Sequence, residues 1–150
     1  MRLKLRDDSQ FSDVVTEIAP IQIDTDTGVG NDKTFLVPNN ETWKINWVHV
    51  TYTSTATVGN RLLKIYLRDT ASTAVIDIHA GLLQAASLVV HYLCGQGVYR
   101  ETTTTNGEVH MPIPQDLYVP PGYTVQVVDE NDVDSADTLS VTVQYKKFTY

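Results

Sequence analysis

The stretch "TLSVTVQYK", residues 138–146, decides the fold class of this chain. Along an extended strand one face would carry Leu139, Val141, Val143 and Tyr145, and the other Ser140, Thr142, Gln144 and Lys146. A period of two residues is typical of a strand that packs on one side and faces water on the other, as in antiparallel sheets. The stretch therefore predicts an antiparallel β-protein.

A second stretch, "WKINWVHVTY" at residues 43–52, follows the same period but breaks it once. Its large apolar side chains alternate as far as Trp47, and the series then continues from Val48 on the opposite face. A switch of this kind predicts a β-bulge, or a strand that is buried on both sides. Ile45 lies between Trp43 and Trp47, so we expect both rings to face the core, although a sugar-stacking platform is an alternative.

Further strands are separated by turn signals such as Asn106-Gly107, which is typical of a hairpin. The additional predicted strands are Leu63–Leu67, Tyr123–Val128, Val14–Ile23, Lys33–Val37, Ala74–His79, Leu88–Leu93, Gly97–Thr103 and Glu108–Ile113. Only "HAGLLQAASL", residues 79–88, is predicted to be helical, over one or two turns. About nine short strands separated by turns predict an all-β antiparallel β-sandwich of jelly-roll type.

The pattern divides the chain into two parts. Residues 1–32 alternate weakly and are predicted to be an extended N-terminal arm or edge segment, and residues 33–150 the jelly-roll β-sandwich domain. The chain of 150 residues suits one domain with a core of its own. No apolar run approaches the ~18 residues of a membrane span, so we predict neither a signal peptide nor a membrane partner.

Charge and cysteine content exclude several function classes. The chain has 11 Lys and Arg against 18 Asp and Glu, a net charge of −7, whereas a nucleic-acid binder needs a dense basic footprint. We therefore predict no nucleic-acid partner. Cys94 is the single cysteine, and His91, three residues away, would face the other side of a strand. Cys94 is thus expected to be a small buried side chain and not a nucleophile.

The segment "DENDVDSAD", residues 129–137, holds five carboxylates. A calcium loop of the EF-hand type needs Gly at its sixth position and Glu at its twelfth, where this chain has Asp134 and Ser140. The segment is therefore predicted to be a solvated connection between two strands. A weak cation loop formed by Asp129, Asp132, Asp134 and Asp137 is an alternative, and an acid–base site is another. No other metal site and no cofactor is predicted.

The four histidines are His49, His79, His91 and His110. A double-stranded β-helix metalloenzyme of the cupin kind would have a His-x-His pair, and none occurs. Single histidines within strands are expected to be core or interface residues, although their convergence on a metal ion in space stays open. We predict that the chain is not an enzyme, with a cupin-like metalloenzyme as an alternative.

Residues 43–148 resemble the small jelly-roll proteins of tailed-bacteriophage virions. The resemblance rests on "PIPQDLYVPPGYTVQVVD" at residues 112–129, "SADTLSVTVQY" at residues 135–145 and the turn "CGQG" at residues 94–97. It implies a non-enzymatic capsid decoration, or cement, protein on the capsid exterior, made in the host cytoplasm. Such a protein would bind the major capsid protein as a homotrimer at capsomer junctions and brace the shell. The alternative is a carbohydrate- or receptor-binding β-sandwich module of a phage tail or fibre.

The first residues supply the candidate capsid contacts. In "RLKLR" the basic residues Arg2, Lys4 and Arg6 alternate with leucines, as they would in a strand with one charged face. Such a segment could add to the free edge of a neighbour's sheet and meet an acidic capsid surface. A frayed terminus is the alternative interpretation of the same residues.

Overall fold

The computed structural model describes residues 21–27, 32–100, 107–131 and 134–149. Within these ranges the chain forms ten strands. They are β1 (Ile21–Asp26), β2 (Lys33–Leu36), β3 (Glu41–Thr53), β4 (Leu62–Arg68), β5 (Ala74–His79), β6 (Val89–Gly95), β7 (Glu108–Pro112), β8 (Tyr118–Val119), β9 (Thr124–Glu130) and β10 (Thr138–Thr149). The described residues contain no helix that is long and apolar enough to cross a membrane.

The strands form two sheets that pack against each other. The first sheet has six strands in the order β1-β10-β3-β6-β7, with β8 also paired to β3, and the second has the order β2-β9-β4-β5. If β7 and β8 are left aside, the first strand pairs with the last, the second with the next to last, and so on, always antiparallel. The pairs are β1 with β10, β2 with β9, β3 with β6 and β4 with β5. Successive pairs fall in alternate sheets, which is the strand arrangement of a jelly roll. The predicted all-β sandwich is confirmed.

The core lies between the sheets and follows the period of two in the sequence. In β10 the residues Leu139, Val141, Val143 and Tyr145 are buried, as the opening stretch predicts. Leu63, Ile65 and Leu67 of β4 face them from the second sheet. Burying each aliphatic side chain of this size stabilises the fold by roughly 1.5–3 kcal/mol.

The predicted bulge in β3 is confirmed. Trp47 pairs with Gln144 and Ile45 with Tyr145, so Asn46 is the extra residue on β3. Trp43 therefore faces the core, where its ring stacks on Tyr145 at 3.8 Å. The expectation for Trp47 is wrong, because the extra residue turns this ring to the outer side of the first sheet.

Two predicted elements are absent from the residues that the structure describes. Residues 79–88 form an extended connection and not a helix, because the backbone of Gln84 pairs in both directions with that of Arg61, with N–O distances of 2.9 and 2.8 Å. Ser87 has a φ of 58°, which a helix does not allow. The predicted strand Gly97–Thr103 is a turn followed by irregular chain as far as Arg100, and residues 101–103 lie outside the described residues.

The first sheet includes chain from before residue 33. β1 forms its edge and pairs with β10 over its whole length, and Tyr145 donates a hydrogen bond to Asp24 of 2.9 Å. β1 thus lies within residues 1–32, the segment predicted to be an N-terminal arm or edge segment, and forms an edge of the first sheet. Residues 1–20 and 28–31 lie outside the described residues.

Candidate functional site

Buried polar side chains gather at one end of the sandwich. The described residues include six of them: Lys33, Ser54, Arg61, Gln84, Asp129 and Asp137. Lys33 begins β2, and Arg61 and Asp137 directly precede β4 and β10. Ser54 directly follows β3, Asp129 is the next-to-last residue of β9, and Gln84 lies in the connection from β5 to β6. This end of the sandwich thus has a charged interior, in contrast to the apolar core.

An ion pair between Arg61 and Asp137 is the centre of this end. Both side chains are fully buried, with Nε 2.8 Å from Oδ2, and Nη2 3.3 Å from Oδ1. Asp137 also accepts hydrogen bonds from the backbone N–H groups of Thr55, at 2.7 Å, and Asp134, at 3.1 Å. Arg61 donates through Nη1 to the Thr57 carbonyl oxygen at 2.9 Å. The pair therefore fixes the loop after β3 to the loop before β10.

The pKa of Asp137 reflects these contacts. Burial alone would raise the pKa, but the hydrogen bonds from Arg61 and from the backbone N–H groups of Thr55 and Asp134 outweigh burial and lower it to about 2. Asp137 is consequently ionised at every pH at which the protein would function, and it supplies the charge that Arg61 requires.

Asp129 is the second carboxylate at this end. The Tyr52 hydroxyl donates a hydrogen bond to Asp129 and lies 3.2 Å from Asp137 Oδ2. Within the described residues, Asp129 Oδ1 is buried without a hydrogen-bond partner. Burial raises the pKa of Asp129 to about 6, against the opposing effect of the Tyr52 hydrogen bond and with a further increase from the charge of Asp137.

The prediction of a solvated acidic loop is wrong for Asp129 and Asp137, which the strand alternation turns inwards. It describes Asp134 better, because Asp134 is partly exposed and its Oδ1 accepts a hydrogen bond from the Ala136 N–H at 2.9 Å. Asp132 lies outside the described residues. Among the described residues no group of three His, Cys, Asp or Glu side chains is arranged to hold a metal ion.

Two carboxylates with separated pKa values resemble an acid–base pair in chemical terms. Here, however, Tyr52 and Arg61 fill the space around Asp129 and Asp137, and all four side chains are buried. A general acid or base must come within hydrogen-bond reach of its substrate. The cluster therefore holds the two loops in place and offers its carboxylates to no substrate in this conformation.

The first sheet brings two of the four histidines together. His49 and His91 stack on its outer side with ring centroids 5.7 Å apart, and Thr51 Oγ1 lies 3.1 Å from His91 Nδ1. His110 lies on the neighbouring strand β7, whereas His79 lies on β5 of the second sheet. Partial burial and the charge of His91 lower the pKa of His49.

We expect an NMR titration to give His49 a pKa below its ordinary value of about 6.5. Replacement of His91 by glutamine should raise that pKa, because it removes the neighbouring positive charge but leaves His49 partly buried. The variant His79→Gln is the control, since it changes a histidine on the other sheet and should leave the pKa of His49 unchanged. A wild-type pKa at or above 6.5 would contradict the stacked geometry.

Cys94 is buried in the core, as the sequence predicts, and burial raises the pKa of its thiol. An apolar pocket of about 110 Å³ lies beside β3 and the end of β6 and is lined by Trp47, Val48, Leu93, Cys94, Gly95 and Val98. A pocket of this size accepts one aliphatic or small aromatic side chain of a partner and is smaller than a typical ligand pocket of about 300–1,000 Å³.

On β4, β5 and β9 the outer face of the second sheet carries ion pairs and hydrogen bonds. Lys64 Nζ lies 2.9 Å from Glu130 and 3.7 Å from Asp77. The Tyr66 hydroxyl donates a hydrogen bond of 2.7 Å to Glu130, and the Arg68 guanidinium stacks 4.6 Å above the Tyr66 ring. The charges on this face are thus satisfied within the molecule.

The outer face of the first sheet is different in composition. We define it by the outward side chains of β1, β10, β3 and β6, whose apolar and aromatic members are Ile21, Ile23, Phe148, Trp47, Val89 and Leu93. The remaining members are His49, His91, Lys44, Lys146, and threonine, serine and amide side chains. No carboxylate points outwards from the described residues of these four strands.

The candidate capsid contacts Arg2, Lys4 and Arg6 lie outside the described residues. The sequence analysis missed the Arg61–Asp137 ion pair. It also missed that the outward side chains of β1, β10, β3 and β6 include no carboxylate, although Glu108 of β7 lies in the same sheet beside His91. Both features arise from the alternation of the strands, which the sequence does show.

Comparisons with known proteins identify no family. No protein-family model matches the chain, and a search of curated proteins found no similar protein. Among solved structures, the chain is similar to one in a structure of the infectious bursal disease virus Gx strain, with 12% sequence identity. The similarity covers 84% of this chain and 36% of the viral chain, at a TM-score of 0.29. A TM-score of this size does not establish a common fold.

Proposed function

We propose that this chain is a non-enzymatic virion structural protein: a decoration, or cement, protein that binds the major capsid protein of a phage. The difference between its two outer faces carries the proposal. The second sheet carries internal ion pairs on its outer face, whereas the outward side chains of β1, β10, β3 and β6 are apolar, aromatic, neutral polar or basic, without a carboxylate. A rigid sandwich with one such face suits a subunit that makes repeated protein–protein contacts.

In this proposal the protein is a homotrimer at capsomer junctions on the capsid exterior. A trimer repeats each contact three times, so the combined affinity exceeds that of one contact by a large factor. The segment with Arg2, Lys4 and Arg6 would add to the edge of a neighbouring sheet by main-chain hydrogen bonds, with its basic side chains against an acidic capsid surface.

A second candidate function is a carbohydrate- or receptor-binding module of a tail or fibre. The observation that favours it is an exposed aromatic pair, Tyr118 and Phe148, with ring centroids 6.1 Å apart. Lys44 Nζ lies 5.5 Å from the centroid of the Tyr118 ring. Exposed rings beside a cation can stack on and hydrogen-bond to a ligand such as a sugar.

Co-sedimentation with purified capsids that lack the protein tests the first function. We expect saturable binding at a fixed ratio to the major capsid protein, and the triple variant R2E/K4E/R6E should bind at least ~10-fold more weakly, equivalent to about 1.4 kcal/mol. The charge-conserving variant R2K/K4R/R6K is the matched control and should bind like the wild type.

Absence of capsid binding by the wild-type protein would refute the decoration role. Saturable binding to a glycan array, with no capsid binding, would favour the second function instead. Equal binding by R2E/K4E/R6E and the wild type would leave the decoration role intact and remove the basic segment from the contact.

A further inference from the structure

Two polar contacts join the two sheets at the end of the sandwich that holds the buried charges. Tyr52 lies in β3 of the first sheet, and its hydroxyl donates a hydrogen bond to Asp129 in β9 of the second sheet. Arg61 directly precedes β4 of the second sheet and pairs with Asp137, which directly precedes β10 of the first. All four residues are buried, so both links are shielded from water.

The Arg61–Asp137 link does not depend on pH near neutrality. Arg61 donates two hydrogen bonds to the Asp137 carboxylate, which also accepts the backbone N–H groups of Thr55 and Asp134. The pKa of Asp137 is about 2, and a guanidinium stays protonated in proteins, so both charges persist from mildly acidic to alkaline pH. This pair is therefore a permanent link between the sheets.

The Tyr52–Asp129 link, in contrast, is one proton short when Asp129 is ionised. The Tyr52 oxygen lies within hydrogen-bond distance of Asp129 Oδ2 and, at 3.2 Å, of Asp137 Oδ2. A phenol hydroxyl has one proton and can donate it to only one of these two carboxylates. A proton on Asp129 supplies the second donor, because Asp129 then donates to Tyr52 and Tyr52 donates to Asp137.

The titratable groups around Asp129 come from four neighbouring elements. Among the described residues they are Tyr52 of β3, Asp137 before β10, Arg61 before β4, and Asp32 before β2. Burial opposes ionisation most strongly, the Tyr52 hydrogen bond favours it, and the charges of Asp137 and Asp32 oppose it. Arg61 favours ionisation, but Asp137 already balances its charge. Lys33, which is also buried at this end, lies 3.6 Å from Asp26. The pKa of Asp129 is consequently raised to about 6.

Ionised Asp129 lowers its free energy by reaching water. Its Oδ1 is buried without a hydrogen-bond partner among the described residues, and an ionised carboxylate with an unsatisfied oxygen is costly to bury. Asp129 is the next-to-last residue of β9, and strand ends open at lower free energy than whole domains. Local movement of this strand end away from the first sheet is therefore enough to hydrate the carboxylate.

We propose that Asp129 and Tyr52 form a proton-operated link: a neutral Asp129 holds the end of β9 against the first sheet, and its ionisation releases that end. The Arg61–Asp137 pair persists in both states, so the opening is confined to the end of β9 and the rest of the sandwich stays folded. The closed state is favoured below the pKa of Asp129 and is lost as the pH rises through about 6. This conformational device does not depend on the proposed virion role.

Native-state hydrogen exchange, followed by NMR, tests the link without any variant. In the strand pair β4–β9, Leu63 lies opposite Asp129 at one end and Leu67 opposite Val125 at the other. We expect the protection factors of amides beside Asp129 to be about tenfold lower at pH 7.5 than at pH 5, as a pKa raised from 3.8 to about 6 requires. At the higher pH their exchange should depend weakly on urea, because a local opening exposes little surface. Exchange of amides at the Val125 end should depend strongly on urea.

A matched pair of variants on β9 identifies the titrating group. Asp129→Asn keeps the size of the side chain but cannot ionise, so its protection factors should be equal at the two pH values. Glu130→Gln changes the adjacent carboxylate, which points outwards to Lys64 at 2.9 Å, and should retain the wild-type pH dependence.

Three results would overturn the proposed link. The first is equal protection of the wild-type amides beside Asp129 at both pH values. The second is exchange of these amides at the higher pH with the strong urea dependence of global unfolding, because no local opening would then occur. The third is a pH dependence that survives in Asp129→Asn, since another group would then carry the titration.

Discussion

Replacing Asp137 by alanine should lower the free energy of unfolding by about 3–5 kcal/mol. The substitution leaves the Arg61 guanidinium fully buried without its counter-ion, and it removes the acceptor for the Thr55 and Asp134 N–H groups. An uncompensated charge in the interior is among the most destabilising changes that a single substitution can make. Urea unfolding followed by tryptophan fluorescence measures the loss.

A surface ion pair supplies the control. Asp77 lies 3.7 Å from Lys64 and is 45% exposed, so Asp77→Ala should cost less than about 1 kcal/mol. The double variant Arg61→Met/Asp137→Leu removes both charges and should recover much of the stability lost in Asp137→Ala, because no buried charge is left unpaired. Equal losses in Asp137→Ala and Asp77→Ala would show that the ion pair is unimportant.

The same pair should make the protein sensitive to strong acid. The pKa of Asp137 is about 2 in the folded protein, below its ordinary value of 3.8. The folded state therefore binds this proton less readily than the unfolded chain does. The resulting stability, about 2 kcal/mol, is fully present above roughly pH 4 and disappears as the pH falls through about 2.

Replacing Asp129 by asparagine should stabilise the protein at pH 8, by up to about 3 kcal/mol, and change little at pH 4. The folded pKa of Asp129 is about 6, above its ordinary value of 3.8, so the folded state binds this proton more readily than the unfolded chain. Stability from this group is therefore greatest below pH 4 and is lost as the pH rises through about 6.

Hydrogen-bond geometry gives the reason. A protonated Asp129 can donate to the Tyr52 oxygen, which frees the Tyr52 hydroxyl to donate to Asp137, 3.2 Å away. An asparagine amide group can donate in the same way at every pH. Urea unfolding at a series of pH values would show the two stability curves diverging between pH 4 and 6 and staying apart above it.

Asp77→Asn is the control for this prediction, because it neutralises an exposed carboxylate and should leave the pH dependence of stability unchanged. An Asp129→Asn variant that is less stable than the wild type at pH 8 would contradict the prediction. That result would mean that Asp129 is needed in its ionised form.

Sequence alternation predicts much of the fold. The series in β10 and β4 identifies which side chains enter the core, and the change of phase between Trp47 and Val48 identifies the bulge. The phase change does not say which residue is extra, and for that reason the direction of Trp47 is mispredicted. The structure assigns the extra position to Asn46, through the register with β10.

The buried ion pair shows where such a prediction stops. Asp129 follows Val125 and Val127 in phase, Arg61 precedes Leu63, and Asp137 precedes Leu139, so alternation places all three charged side chains inwards. A hydrophobic pattern stops at its last apolar residue, so it does not include these charged positions. Alternation does not show which buried charges pair with each other. Arg61 and Asp137 are 76 residues apart in sequence, and they meet only because the two sheets pack against each other.

The predicted helix at residues 79–88 fails for a related reason. Its local composition favours a helix, but the segment has to cross from the second sheet to the first, between β5 and β6. Gln84 stabilises this crossing in two ways. Its backbone pairs with that of Arg61, and its side-chain amide donates a hydrogen bond of 3.1 Å to the Tyr52 carbonyl oxygen. Tertiary contacts of this kind override a weak helical preference.

The pairing of β1 with β10 sets the order in which the molecule can be completed. Ile21 lies opposite Lys146, so β1 cannot pair with β10 until β10 has emerged from the ribosome. Bringing β1 and β10 together costs conformational entropy before the two strands form any stabilising contact, and this cost makes folding slow. During synthesis, the unpaired edges of β1 and β3 would be open to neighbouring nascent chains until β10 has emerged.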